Sequence, residues 1–328
     1  MNDTRRRLLR AAAGISAISA IPWPAGAQGA WPAKPIRVVV GFPAGGLTDI
    51  LARAYCEPLS QKLGQPVVVE NKPGAGSMIA AGDVAKAAPD GYTFLFTISS
   101  TMNQNRVLYK KMPYDPDKDF TYVSGFDAGH LPLAVALGVK ANNMAEFVEL
   151  ARRERVTMGN YSAGSYPHML ALQINKLYGT KIDAVHYKGE APMWADLASG
   201  QITSAVGSIP AMAPHLQSNR VRPIAVPTAV RSTRLPDVPT FVEQGFKEQV
   251  FVIQGWIGMF APAGVSRDIV SRISAIHQES ADLPRVKQIH ATFGLRDKPW
   301  TAGEFEKLNS EIKPVWIALA RELGITLD

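Results

Sequence analysis

Ile36-Arg37-Val38-Val39-Val40-Gly41-Phe42-Pro43-Ala44-Gly45-Gly46-Leu47-Thr48-Asp49, followed by an apolar-periodic run from Ile50 to Leu63, reads as strand, glycine loop and helix. The β-branched run ends in a turn of small residues. Thr48 or Asp49 then stands where a helix N-cap belongs, with backbone N–H groups pointing out of the loop. Such a loop favours an anion. The spacing Gly41-x4-Gly46 resembles the phosphate loop of nucleotidases, but Leu47 occupies the place of the lysine that reaches the phosphates, which argues against nucleotide hydrolysis. Taken alone, the loop is equally a tight turn that binds nothing.

A second loop of the same kind changes that balance. Thr157-Met158-Gly159-Asn160-Tyr161-Ser162-Ala163-Gly164-Ser165-Tyr166-Pro167-His168 again opens a helix pattern, Met169 to Leu177. Two anion-favouring loops on separate strand–helix units imply two lobes closing on one negatively charged small molecule.

Working outward, the module repeats. Val67 to Asn71 reads as a strand, Lys72-Pro73-Gly74-Ala75-Gly76-Ser77 as a loop, Met78 to Ala88 as a helix and Tyr92 to Ile98 as a strand, and Ser99 to Asn103 reads as a further polar loop. Loops at the carboxyl ends of sheet strands share one edge, where α/β proteins bind ligands. Extended runs at Tyr122 to Phe126 and Leu131 to Val139 cross into a second lobe, where βα alternation continues to Val226. Gln254 to Pro262 reads as the returning strand, and helices at Ser266 to Glu279 and Ala302 to Leu323 complete the first lobe. The fold expected is α/β: a two-lobed clamshell with a mixed sheet flanked by helices in each lobe. Residues 31–127 plus 256–328 form one lobe and 128–255 the other, with the two crossings as a hinge.

The 328 residues suffice for two ordinary domains, and the net charge of +7 owes much to the N-terminus. There Thr4-Arg5-Arg6-Arg7-Leu8-Leu9-Arg10 precedes an Ala/Ile-rich stretch, and Ala25-Gly26-Ala27 fits a small-x-small cleavage site. Residues 1–27 read as an export signal of twin-arginine type, too short to anchor. Removing Arg5, Arg6, Arg7, Arg10 and Asp3 leaves 31 basic and 27 acidic residues, or +4, with no basic run to suit nucleic acid. The single Cys56 falls within the first helix pattern and reads as a packed small hydrophobe. The six histidines show no metal-ligand spacing, and no metal or cofactor is expected.

From Trp31 to nearly the C-terminus the chain resembles the Bug/TctC proteins, the periplasmic receptors of tripartite tricarboxylate transporters. The resemblance is carried by Trp31-Pro32-Ala33-Lys34-Pro35-Ile36, Pro43-Ala44-Gly45-Gly46 with Asp49, Val68-Val69-Glu70-Asn71-Lys72-Pro73-Gly74-Ala75-Gly76, Pro89-Asp90-Gly91-Tyr92, Tyr114-Asp115-Pro116, Tyr187-Lys188-Gly189, Leu235-Pro236-Asp237-Val238-Pro239-Thr240 and Ala261-Pro262-Ala263-Gly264, in this order. It implies a monomeric periplasmic protein without catalysis that delivers a small carboxylate to membrane permease subunits. It also implies that the loops Pro43 to Asp49 and Asn160 to Ser165 hold a ligand carboxylate. Asn160-Tyr161 departs from the usual glycine-serine, and Ser204 and Gly207 stand where relatives often carry acids.

The expected ligand-binding residues are Phe42, Ala44, Gly45, Gly46, Thr48, Asp49, Asn71, Ser77, Ser99, Ser100, Tyr161, Ser162, Ala163, Gly164, Ser165, His168, Tyr187 and Ser208. Neutral Ser204 and Gly207, with Phe42 and Tyr161 as flanking rings, point to a dicarboxylate, an aromatic one such as terephthalate included. The enzymatic rival is a serine hydrolase, with Ser162 in an elbow-like turn and Asp183 and His186, or Asp196 and His215, completing a triad.

Overall fold

In a computed structural model, residues 31–228 and 230–327 are described; the expected export signal and its cleavage site lie outside them. The first lobe opens with β1 (Ile36–Val40), α1 (Leu47–Leu63), β2 (Val67–Asn71), α2 (Met78–Ala85) and β3 (Thr93–Ile98), with β1 parallel to both β2 and β3. Along β1, Val38 and Val40 join an apolar cluster containing α1 while Val39 joins the cluster on the opposite face, so the strand is buried on both sides, as a continuous β-branched run requires.

Ser99 to Asn103 is not the loop its polarity suggested. Ser99–Met102 forms a short helix, α3, followed by α4 (Asn105–Leu108). The segment is buried, so its backbone cannot turn to water and must pair internally. Thr101 meets the Thr97 hydroxyl at 2.7 Å and donates to Gly76 O at 3.3 Å.

β4 (Phe120–Asp127) leads out of this sheet into the second lobe, built from β5 (Leu133–Ala136), α5 (Met144–Arg153), β6 (Val156–Asn160), α6 (Tyr166–Tyr178), β7 (Ile182–His186), α7 (Glu190–Ser199), β8 (Ser204–Val206), α8 (Ile209–Gln217) and β9 (Val221–Ala225). β10 (Trp256–Pro262) returns and inserts antiparallel between β3 and β4. α9 (Arg267–Ser280), α10 (Pro284–Phe293), β11 (Trp300–Thr301) and α11 (Ala302–Glu322) follow. The sheets run β11-β4-β10-β3-β1-β2 and β7-β6-β8-β5-β9. Each is mixed, because the strand entering after a crossing, β10 or β5, lies antiparallel to its neighbours. Cys56 is buried among the apolar residues of α1, and burial pushes its thiol up to about 12. No helix among the described residues is long and apolar enough to cross a membrane.

The last helix ties the lobes together. Its Phe305 ring lies in a slot formed by Gly125 of β4 and Gly258 of β10, where any Cβ would come within 2.5 Å of the ring. One turn on, the buried Asn309 accepts from Asn103 Nδ2 (2.8 Å) and Trp256 Nε1 (3.0 Å) and donates to Tyr122 OH (2.7 Å). Further along, Trp316, Leu319 and Ala320 leave the first lobe and join the core of the second. Asn309→Ala strands two buried donors, so it is expected to lower the unfolding free energy in urea by on the order of 3 kcal/mol; a loss below about 0.5 kcal/mol would show that the hub is not a structural tie.

Candidate functional site

Both glycine loops lie at the carboxyl ends of strands, 41–46 after β1 and 161–165 after β6. Gly46 is the N-cap of α1 and Ser165 the N-cap of α6, and neither helix start is closed by a capping side chain. Their first-turn N–H groups remain for an outside acceptor.

The same device shapes both loops. Gly45 donates its N–H to Asp49 Oδ2 at 3.0 Å, and Gly164 donates its N–H to His168 Nδ1 at 3.0 Å. In each case the acceptor is the third helical residue and reaches back to the loop. Asp49 also accepts from Arg53 Nε (3.0 Å) and Asn71 Nδ2 (2.9 Å), and Asn71 Nδ2 donates to Phe42 O (3.0 Å). Burial opposes the charge on Asp49, but these bonds outweigh it and hold the carboxyl below the usual range. For His168, burial first and the neighbouring His186 second push the ring down to about 4, so at neutral pH it is a neutral acceptor.

Two cavities open between the loops. The one that is larger when the space at its open mouth is counted, about 810 Å³, is reached by Phe42, Ala44, Gly46, Thr48, Ser99, Ser100 and Tyr161 of the expected set. The smaller, about 590 Å³, is reached by Phe42, Ser77, Tyr161, Ser162, Ala163 and Tyr187. Phe42, Pro43, Tyr161 and Lys188 border both, so this aromatic pair divides the cleft. Gly189 has φ +124°, and a Cβ there would come 3.3 Å from Pro43, so the loops of opposite lobes touch.

Seven expected residues reach neither cavity: Gly45, Asp49, Asn71, Gly164, Ser165, His168 and Ser208. Their polar groups are spent on the protein. Beyond the loop bonds above, Ser165 Oγ donates to Ser162 O at 2.6 Å, and Ser208 gives its N–H and hydroxyl to Glu190. Ser204 Oγ is turned to Thr157 O at 2.9 Å and Gly207 is packed under Trp194, so neither position bears on the charge of a ligand.

Several lining residues were missed. Gln104, Tyr166 and Glu190 line the larger cavity, as does Trp256 at the start of the returning strand β10. Ser100 Oγ, Gln104 Oε1 and Tyr166 OH there, and Ser162 Oγ in the smaller cavity, are buried without a hydrogen-bond partner. Buried polar atoms are normally satisfied, and of thirteen such orphans among the described residues these four belong to residues lining one cleft, where an occupant can complete them. The only sequence signal for Gln104 and Tyr166 was polarity beside a glycine or serine turn.

The triad of the hydrolase reading is not assembled. His186 Nδ1 pairs with Asn160 Oδ1 at 2.8 Å, Asp183 pairs with Arg155, and Asp196 accepts from Tyr187 OH at 2.7 Å. Among the described residues, no histidine bonds Ser162, and no group of side chains suits a metal ion.

This geometry, a donor-lined cleft between two α/β lobes, is that of a solute-binding protein. Residues 51–325 match the tripartite tricarboxylate transporter family receptor (TctC), and the chain belongs to that family. Protein BugT of Bordetella pertussis is 32% identical over 333 residues, covering 100% of both chains. Among solved structures, Rpa4515 of R. palustris with adipate is 30% identical with TM-score 0.84, covering 90% of this chain and 99% of that one. MatC of Rhodopseudomonas palustris with bound malate is 28% identical with TM-score 0.80, covering 88% and 99%.

Two expectations separate lining from scaffold. Ser162→Ala and Tyr166→Phe should weaken ligand binding by about 1–2 kcal/mol while leaving the thermal midpoint in place, because their hydroxyls bond nothing in the protein. Ser165→Ala should instead cost about 1 kcal/mol of stability; the reverse pattern in calorimetry and thermal melts would overturn the assignment. The neutral His168 also gives a pH signature. Its folded pKa, about 4, lies below the ordinary histidine value, so the unfolded chain takes up the proton first and stability falls as pH drops from about 6.5 to about 4. The loss is about 1.4 kcal/mol per pH unit in that window, and His168→Gln should show a shallower slope in urea titrations. An unchanged slope would mean that this ring takes up its proton as readily in the folded chain as in the unfolded one.

Proposed function

We propose that this protein is an extracytoplasmic receptor that captures a small dicarboxylate and hands it to the membrane permease of a tripartite tricarboxylate transporter. The observation that carries the reading is the convergence of uncapped helix starts from both lobes with four unpartnered buried polar atoms on one cleft. Backbone N–H groups and hydroxyls grip a carboxylate best once closure has excluded water, so this site needs no salt bridge. The leader expected at residues 1–27 agrees with a periplasmic location. A single chain supplies both faces of the cleft, which agrees with a monomer. The lobes divide at 127/128 and 255/256, and the end of α11 packs on the far lobe as a strut.

Dicarboxylates are favoured because the relatives Rpa4515 and MatC hold adipate and malate. The rings of Phe42 and Tyr161, placed where the cavities meet, favour a flat body such as terephthalate. Calorimetry against terephthalate, adipate, malate, benzoate and glutamate tests this. One of the dicarboxylates should bind saturably at one site, with benzoate at least about tenfold weaker than terephthalate, a difference of about 1.4 kcal/mol for the lost carboxylate. Silence across the panel, or glutamate binding tightest, would overturn the reading.

A further inference from the structure

Glu190 is the acid that the cleft was not expected to contain. It is the first residue of α7, follows the left-handed Gly189 and lines the larger cavity from the second lobe. It is only 9% exposed. Its two oxygens are held by Ser208, from the N–H at 3.0 Å and the hydroxyl at 2.5 Å, and no ion pair among the described residues includes it. The other titratable groups facing this cavity are Lys188, exposed at its rim on the same turn, and Tyr161 and Tyr166 from the loop and start of α6. From the first lobe, Asp49 is turned inward to Arg53 and Asn71.

A carboxyl shut away from water without a counter-cation favours its neutral form. Burial raises the pKa of Glu190 against the opposing pull of Ser208, and burial first, with Glu190 second, raises that of the neighbouring Tyr161 hydroxyl. A dicarboxylate gripped at one end by the loops brings its other end into the cavity that Glu190 lines. Two carboxyl groups close together in such a place retain one proton between them.

We propose that Glu190 is the specificity residue of this cleft, meeting the ligand as a neutral carboxylic acid and donating a hydrogen bond to the ligand's second carboxylate. The inference rests on the carboxylate-receptor reading. Where Glu190 is ionised in the free protein, the proton comes from solvent as the ligand binds, and no bond other than O–H is made. A monocarboxylate with the same chain offers no acceptor and takes up no proton.

The test is calorimetry of the intact protein with adipate and with hexanoate, from pH 6 to 9, in buffers of different ionisation enthalpy. Adipate should bind with uptake of up to one proton and lose affinity by up to about tenfold per pH unit in the alkaline limb. Hexanoate should show neither effect. Glu190→Gln should bind adipate several-fold more weakly at pH 6 and lose the pH dependence, with hexanoate unaltered. Adipate binding without proton uptake, without pH dependence and undiminished in Glu190→Gln overturns the proposal but leaves the receptor reading standing. Glutamate outcompeting adipate in the parent protein, with that advantage lost in Glu190→Gln, overturns it in favour of an ionised acid pairing with an ammonium. If neither acid binds, the dicarboxylate of the panel above that does bind takes the place of adipate, with its monocarboxylate counterpart; if none binds, the receptor reading fails and this inference with it. Should the variant not fold, the parent protein decides: hexanoate binding as tightly as adipate at pH 6 overturns the proposal.

Discussion

An acceptor at the third helical position, reaching back to a loop N–H, shapes both halves of the cleft. In the first lobe it is the Asp49 carboxylate holding Gly45; in the second it is the neutral ring of His168 holding Gly164. With the loop pinned from inside, the remaining N–H groups of α1 and α6 cannot turn to their own side chains and stay directed at the space between the lobes. The chemical difference between the two pins follows from their surroundings. Asp49 has Arg53 and Asn71 to stabilise its charge, whereas His168 is buried beside His186 and stays uncharged. Neither pin places a positive charge in the cleft, so apart from Lys188 at its rim the groups that meet an entering anion are dipoles.

Around those pins the rest of the molecule fixes distance and travel. β4 and β10 run antiparallel through the first sheet and carry the chain out and back, which places the crossings side by side. α11 adds a strut, locked at Phe305 and Asn309 in one lobe and at Trp316 in the other. Leu327 donates its N–H to Leu108 O at the end of α4, and Glu322 accepts from Gln173 and Lys176 of α6. Relative motion of the lobes must therefore be a pivot about this side, with the loops at 41–46 and 161–165 moving most.

The fold was legible because its strands are β-branched runs ending at glycine turns, as in Val38-Val39-Val40-Gly41. The helix Pro284–Phe293 escaped notice although Pro284 at its first position and Gly294 after its last carry the signature of a helix start and stop. Ser99–Met102 was misread since hydroxyl residues mark loops only where water can reach them. At the site, nearness to a loop predicted which backbone would line the cleft. It did not predict side-chain direction: Ser165, His168, Asn71 and Ser208 sit beside the cavities and spend their polar atoms on the protein. Glu190 was overlooked since a glutamate at a helix start is ordinary on a surface, and only the packing of α7 against Ser208 buries it.

The central claim is that backbone N–H groups from both lobes close on a carboxylate together. Amide hydrogen exchange with and without a saturating dicarboxylate measures those groups directly. Amides of residues 44–49, 161–166 and 168 should slow in concert on ligand addition, while those of the outer helix Arg267–Ser280 keep their rates. Slowing confined to one lobe, or protection spread evenly over the chain with the two loops unchanged, would contradict it.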